Sequence, residues 1–171
     1  GLKLQSYTQA TYRNAAASFN LSGNNNAVSV NDIKFAMDKM NIGGVAGVTF
    51  NDKGNFYELH LNSDKLNLDN YLPENEKEQN FMGNLKSDIQ SLSFLKWLNI
   101  NADLHSDNLT FRKNSLNNVT LKAEAKNGIV HVTELSGEDL LNTNFKLNTE
   151  VNNLGSLDIG FKDLNFDIRS S

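Results

Sequence analysis

Cysteine is absent from the 171 residues, which excludes disulfides, thiolate nucleophiles and cysteine-ligated metals but leaves the compartment open. Proline occurs once, at Pro73. Almost every segment can therefore enter a paired strand without deleting a ladder donor. Nowhere do 18 apolar residues run together and no basic-then-apolar leader opens the chain, so neither a helical membrane span nor an export signal is read. Basic residues are few and scattered: 16 Lys and Arg stand against 20 Asp and Glu, for a net charge of −4. Phosphate neutralisation needs clustered cations, so nucleic acid is excluded as a main partner. The chain opens with Gly1 rather than Met and finishes on a strand-like segment. The expectation is an excised piece of a longer protein whose anchor or signal lies outside it.

What is present is alternation. Hydrophobic residues make up 39% of the chain, enough to bury a core as one domain or two closely packed halves. Residues 2–13 have no clean period. Ala15, Ala17, Phe19 and Leu21 then alternate with polar or small residues, and Gly23-Asn24-Asn25-Asn26 marks a turn. Val28, Val30, Ile33, Phe35 and Met37 predict one long bulged strand or two short ones over 27–40. Gly43, Gly44 and Gly47 bracket an expected turn or kink, and Asn51-Asp52-Lys53-Gly54 a further turn. Tyr57, Leu59 and Leu61 lead to Asn62-Ser63-Asp64-Lys65, read as a polar turn between two strands, with Leu66 and Leu68 resuming the alternation. Asparagine is the commonest residue; it favours turns and is depleted in strands, and its abundance reads as the bias of a source genome.

Beyond Pro73 the charged stretch 74–80 reads as a linker. Phe81, Leu85, Ile89, Leu92 and Leu95 then recur at spacings of three and four, predicting an amphipathic helix over about 81–97. Strand patterns return with Leu98, Ile100, Leu104, Phe111, Val119 and Leu121. Asn127-Gly128 is the strongest hairpin signal, and Leu157, Ile159, Phe161, Leu164, Phe166 and Ile168 carry alternation to the end. Ser106-Asp107-Asn108-Leu109 repeats Ser63-Asp64-Lys65-Leu66 at an offset of 43 (106 minus 63), and Lys162-Asp163-Leu164 is a fainter copy. Repetition of this kind suggests similar β units. About ten strands to one helix define a mainly antiparallel β protein with sharply sorted faces. One helix cannot cover so wide a face, so it closes as a barrel or sandwich, or stays open as a curved groove.

Chemistry is sparse. His60, His105 and His131 fall by strand parity on the polar face, where a solvated role is the simple reading. No HExxH, paired histidines or cysteine partner supports a metal site, and Glu74, Glu76 and Glu78 read as linker rather than chelator. There is no GxSxG elbow, and 43–47 lacks the Lys and Ser/Thr of a phosphate loop. Asn20, Asn108 and Asn118 head glycosylation triplets of the kind an Asn-rich chain produces by accident. Most of the aromatics share parity with their aliphatic neighbours, which suits a packed core and a lipid-lined groove equally well.

Asp64-Lys65-Leu66-Asn67-Leu68-Asp69-Asn70-Tyr71-Leu72-Pro73 resembles the "adxLdLdxYLP" signature of the AsmA family. The order that follows is similar too: a polar spacer, a helix, residues 98–104, Leu109-Thr110-Phe111, residues 116–121, and Ala125-Lys126-Asn127-Gly128-Ile129-Val130 in place of the family's "a-x-x-G-x-l" hairpin. Upstream, residues 28–61 resemble the preceding family unit, with Gly47 to Phe50 as its "G-x-x-x-F" turn. The chain departs at Leu135-Ser136-Gly137-Glu138-Asp139, where members often carry Tyr-Gly-Gly.

The resemblance implies a periplasmic portion of a Gram-negative protein tethered to the inner membrane by an anchor outside this chain, related to bridge-like lipid transfer proteins. It would be non-enzymatic, without cofactor or metal. Phospholipid is the implied partner, with other envelope proteins as further partners, in lipid transport and outer-membrane assembly. The expected fold is a single domain, 1–171: a curved antiparallel sheet of β-hairpin units forming an apolar groove or partly open barrel. Its parts are an N-terminal unit at 14–73, a linker and helix at 74–97, and a C-terminal unit at 98–171. Candidate lipid-facing residues are Leu59, Leu61, Leu66, Leu68, Leu98, Ile100, Leu104, Phe111, Val119, Leu121, Leu157, Ile159 and Phe161. The alternative is a closed β sandwich acting as a structural or adhesin-like module without lipid.

Overall fold

The fold is known from a computed structural model, which describes residues 15–37, 39–70, 93–140, 143–152 and 160–170. Nine strands form one open sheet in strictly sequential order: β1 Ala15–Gly23, β2 Ala27–Met37, β3 Met40–Thr49, β4 Phe56–Asn67, β5 Asn99–Phe111, β6 Asn114–Lys126, β7 Ile129–Leu140, β8 Thr143–Asn152 and β9 Gly160–Ser170. All neighbours pair antiparallel except β4 and β5, which run parallel. A parallel pair cannot be closed by a tight turn. This junction therefore coincides with the long connection from Leu68 to Leu98, of which residues 71–92 lie outside the description.

The parallel junction sets the two copies of the repeated word side by side. Phe56 meets Asn99, Leu61 meets Leu104, Ser63 meets Ser106 and Leu66 meets Leu109, each pair 43 residues apart. The Ser63 and Ser106 hydroxyls lie 3.4 Å apart, and Ser106 also donates to the Asn108 carbonyl at 2.9 Å. This corrects the turn expected at Asn62–Lys65, which lies inside the continuous strand β4. Turn propensity loses because the segment is held by ladders, and its polar groups are satisfied there. The Asp64 carboxylate accepts from the Asn41 backbone N–H at 2.9 Å and from its side-chain amide at 2.7 Å.

The glycines at 43–47 are likewise neither turn nor kink: they sit in the middle of β3, paired on both sides. Gly44 has φ +146, and a Cβ there would run into the His60 carbonyl of β4. Glycine lets the two backbones approach. Elsewhere local chemistry and structure agree. Asn127 and Gly128 both have positive φ, at 52 and 80, as the predicted tight hairpin requires. The region 27–40 resolves into the bulged strand β2 and the start of β3.

Asparagine and aspartate do more than source bias implies. Asp32, Asn118, Asp139 and Asp163 are left-handed residues inside strands, each at a register shift. Asx side chains tolerate this conformation better than other L-residues. Each bulge inserts one residue and so lets apolar residues three apart share a face: Leu116 and Val119, on either side of the Asn118 bulge, are buried to 8% and 7% exposure. Neighbouring amides anchor these sites, Asn20 donating to Asp32 at 2.8 Å and Asn117 to Asp139 at 2.6 Å.

The predicted helix over 81–97 falls outside the described residues as far as residue 92. Its last five residues, Ser93–Trp97, form a short 3-10 helix, η2, capped where the Leu98 N–H donates to the Leu95 carbonyl. A second short 3-10 helix, η1, follows β4 at Leu68–Asn70. Its Asp69 carboxylate accepts the backbone N–H groups of Arg112 and Lys113, fastening the β5–β6 turn. No described helix is long and apolar enough to cross a membrane.

Candidate functional site, an apolar sheet face

Residues paired across a ladder project to the same side of a sheet, so the registers sort the two faces. One face is apolar in rows that cross the strands from β2 to β9. Val28, Val48, Tyr57, Ile100, Ala125, Val130, Val151 and Phe161 are successive partners from β2 to β9. A parallel row runs from Ile33 through Gly44, Leu61, Leu104, Leu121, Leu135 and Leu147 to Phe166. Strands about 4.8 Å apart make each row of eight residues about 34 Å long.

The other face is polar and laced by charge. His60 lies 4.0 Å from Asp103, and His131 lies 3.5 Å from Glu150. His105 contacts the Thr120 hydroxyl at 3.0 Å and Asp107 at 3.2 Å. All three histidines thus occupy the face expected from parity, each beside a carboxylate. Glu134 draws in Lys122 at 3.6 Å and Lys146 at 3.8 Å. Its carboxyl is held below the ordinary range, first by the Ser136 hydroxyl that donates to it and then by the two ammonium groups. Asp64 is lowered likewise, chiefly by the Asn41 side-chain amide and then by the Asn41 backbone N–H. No group of three or more His, Asp and Glu gathers to hold a metal among the described residues.

The apolar face is only partly covered. None of the described side chains is fully buried. A small core forms where Leu95 of η2 packs with Ile100 against Ala125, Val130 and Val151. Leu59, Leu61, Ile100, Leu104, Leu121 and Phe161 stand on this face by register, and Val119 joins them beside Leu121. Leu66 continues it as a Leu66–Leu109–Leu116 row whose last member is buried. Phe111 closes β5 opposite Asn114, at the turn rather than within a row. Leu68 belongs to η1 and Leu98 to the loop after η2, so neither is the strand residue expected. Pairing ends one residue short of each, and the chain turns into its 3-10 geometry. Leu157 and Ile159 lie outside the described residues.

The candidate set omits Ala123, Val130, Val132, Leu135, Leu147 and Val151, which the registers place on the same face; the alternation around Asn127-Gly128 marks the first three as strand residues. A depression of about 600 Å³ opens elsewhere, around Ala16, Lys34, Asn41, Asn62, Asp64 and His105. None of the candidate lipid-facing residues lines it. Comparison with protein-family models, curated proteins and solved structures finds no match for this chain.

Proposed function

We propose that this chain is a non-enzymatic β segment whose apolar face takes up lipid acyl chains as part of a longer groove. One observation carries the reading: apolar rows cross eight strands in register, from β2 to β9, yet none of the described side chains on them is fully buried. Acyl chains need a continuous apolar lining and no directed polar partner, so their affinity grows with the area they remove from water. The opposite face, with its ion pairs and histidines, is suited to solvent. The AsmA-like words at 64–73 and 98–130 support the same reading, and with it phospholipid as ligand and a periplasmic setting tethered to the inner membrane.

Native mass spectrometry on protein extracted without detergent tests it. Phospholipid adducts are expected, and Leu104→Glu or Leu121→Glu should remove them, because either places a charge in the middle of the leucine row. Asn101→Glu, on the polar face, should leave them in place. A clean ligand-free mass together with no uptake from phospholipid vesicles would sink the proposal and favour the sealed β module without lipid.

A further inference from the structure

One end of the sheet differs from the rest of the surface. It is closed by residues 24–26 before β2, residues 50–55 between β3 and β4, η2 before β5, and Asn127-Gly128 between β6 and β7. The registers bring the bases of these turns together: Thr49 pairs with Phe56, Phe56 with Asn99, and Lys126 with Ile129, one residue beyond the Ile100–Ala125 pair. A Cβ added to Gly128 would lie 3.9 Å from that of Lys96, so η2 rests beside the β6–β7 turn.

Large apolar side chains stand out there. Apart from the outermost strands β1 and β9, the described residues expose Val45, Phe50, Phe94 and Trp97, and all but Val45 are at this end. Trp97 is 79% exposed and Phe94 54%, although the helix that bears both is held from below by Leu95 in the small core. An anchored helix that turns two aromatic rings outward presents a patch for a partner.

Charge narrows the partner. In a chain of net charge −4, this end carries Lys53, Lys96 and Lys126 against Asp52 among the described residues. Glu58, Glu124 and Glu150 come two residues further in, on the polar face behind the lysines. The Lys96 ammonium lies over the Trp97 ring, 5.0 Å from its centroid. Aromatic rings of this kind settle at the headgroup depth of a bilayer, where the ring body is buried and its edge stays wet. Lysine stems lie along the same layer with their ammonium groups among the phosphates, and anionic lipid attracts each of them. The neighbouring turns at 24–26 and Asn127-Gly128 are short and uncharged, so nothing in them holds a flat surface away.

We propose that this end is a membrane-docking rim: Phe94 and Trp97, with Phe50 beside them, enter the headgroup layer of an anionic bilayer while Lys53, Lys96 and Lys126 meet lipid phosphates. The rim needs only exposed rings and cations, so it does not depend on the acyl-chain reading. It does seat the first apolar row, Val48 to Ala125, next to the bilayer surface.

Trp97 is the single tryptophan, so its emission reports on the rim directly. Phosphatidylcholine vesicles carrying about 30% phosphatidylglycerol should cosediment with the full chain and shift its emission to the blue. Binding should be at least about tenfold weaker on pure phosphatidylcholine or in about 0.5 M salt. Lys96→Gln and Lys126→Gln should each weaken it about fivefold and Trp97→Ala about tenfold. Lys113→Gln, in the β5–β6 turn at the opposite end, should leave it unchanged; all four side chains are exposed. Equal binding to neutral and anionic vesicles, or an emission that neither moves, overturns the proposal. So does a Trp97 signal that changes with protein concentration alone, which assigns the rim to a second copy. Leu104→Glu separates the rim from the groove: it should strip bound phospholipid and keep vesicle binding, whereas phospholipid adducts in a chain that ignores vesicles would retain the groove and remove the rim.

Discussion

Two adjacent glycines of β3 offer a sharp test of how the sheet is held together. Gly44 adopts φ +146, and a Cβ added to it would overlap the His60 carbonyl oxygen of the neighbouring strand, a backbone atom that cannot move without shifting β4. A side chain in that conformation costs about 1–3 kcal/mol, and the backbone displacement needed to relieve the overlap adds about 1–3 kcal/mol. Gly44→Ala should therefore destabilise the fold by about 4 kcal/mol, a large share of the roughly 5–15 kcal/mol of a typical domain. With a urea slope of about 2 kcal/mol/M, that lowers the unfolding midpoint by about 2 M. Gly43 is the control. A Cβ there would sit 2.9 Å from Asn62 Oδ1, the movable end of a side chain, and its φ is ordinary. Gly43→Ala should cost under about 1 kcal/mol. Urea titrations of both variants decide the matter: midpoints within about 0.5 M of each other would refute the close approach at Gly44.

Three further outcomes are expected. Gly128→Ala meets open space, with the nearest side-chain atom 3.9 Å away, but keeps φ +80, so it should lose about 1 kcal/mol from backbone conformation alone, read from the same titrations. Asp64 has its folded-state pKa depressed below the ordinary 3.8. Its contribution is therefore present above about pH 4 and lost as pH falls through the lowered value; Asp64→Asn should flatten that acid limb of the stability–pH curve, measured by denaturation at stepped pH. Trp97, the single tryptophan, is 79% exposed on η2 beside the small core, with the Lys96 ammonium 5.0 Å from its ring. If the apolar face receives lipid, phospholipid vesicles should shift its emission to the blue, and an unchanged spectrum would count against that face as the docking side.

Much of the fold was legible because the sheet is built from neighbours in sequence. Parity placed Leu59, Leu61, Ile100, Leu104 and Leu121 on one side and all three histidines on the other, and Asn127-Gly128 announced its hairpin through the left-handed geometry those residues favour. Two kinds of error remained. Asn62–Lys65 and the glycines at 43–47 have turn-forming composition but are strand interior, since two-sided pairing outweighs local propensity. The Asx bulges were hidden for a different reason. A bulge changes parity by one residue without changing composition, so Leu116 and Val119 look as if they belong to opposite faces until Asn118 is seen in the left-handed region. The candidate site was legible as a set of apolar residues but not as rows, because a row exists only once the registers of all nine strands are known.

The constant offset of 43 across the β4–β5 junction marks two segments whose length is fixed. Adding a residue inside β4 or β5 slides half of that ladder by a step and turns every leucine beyond it toward solvent. Natural or engineered length variation should accordingly be rare within Phe56–Asn67 and Asn99–Phe111, two segments where the reading of length is strict.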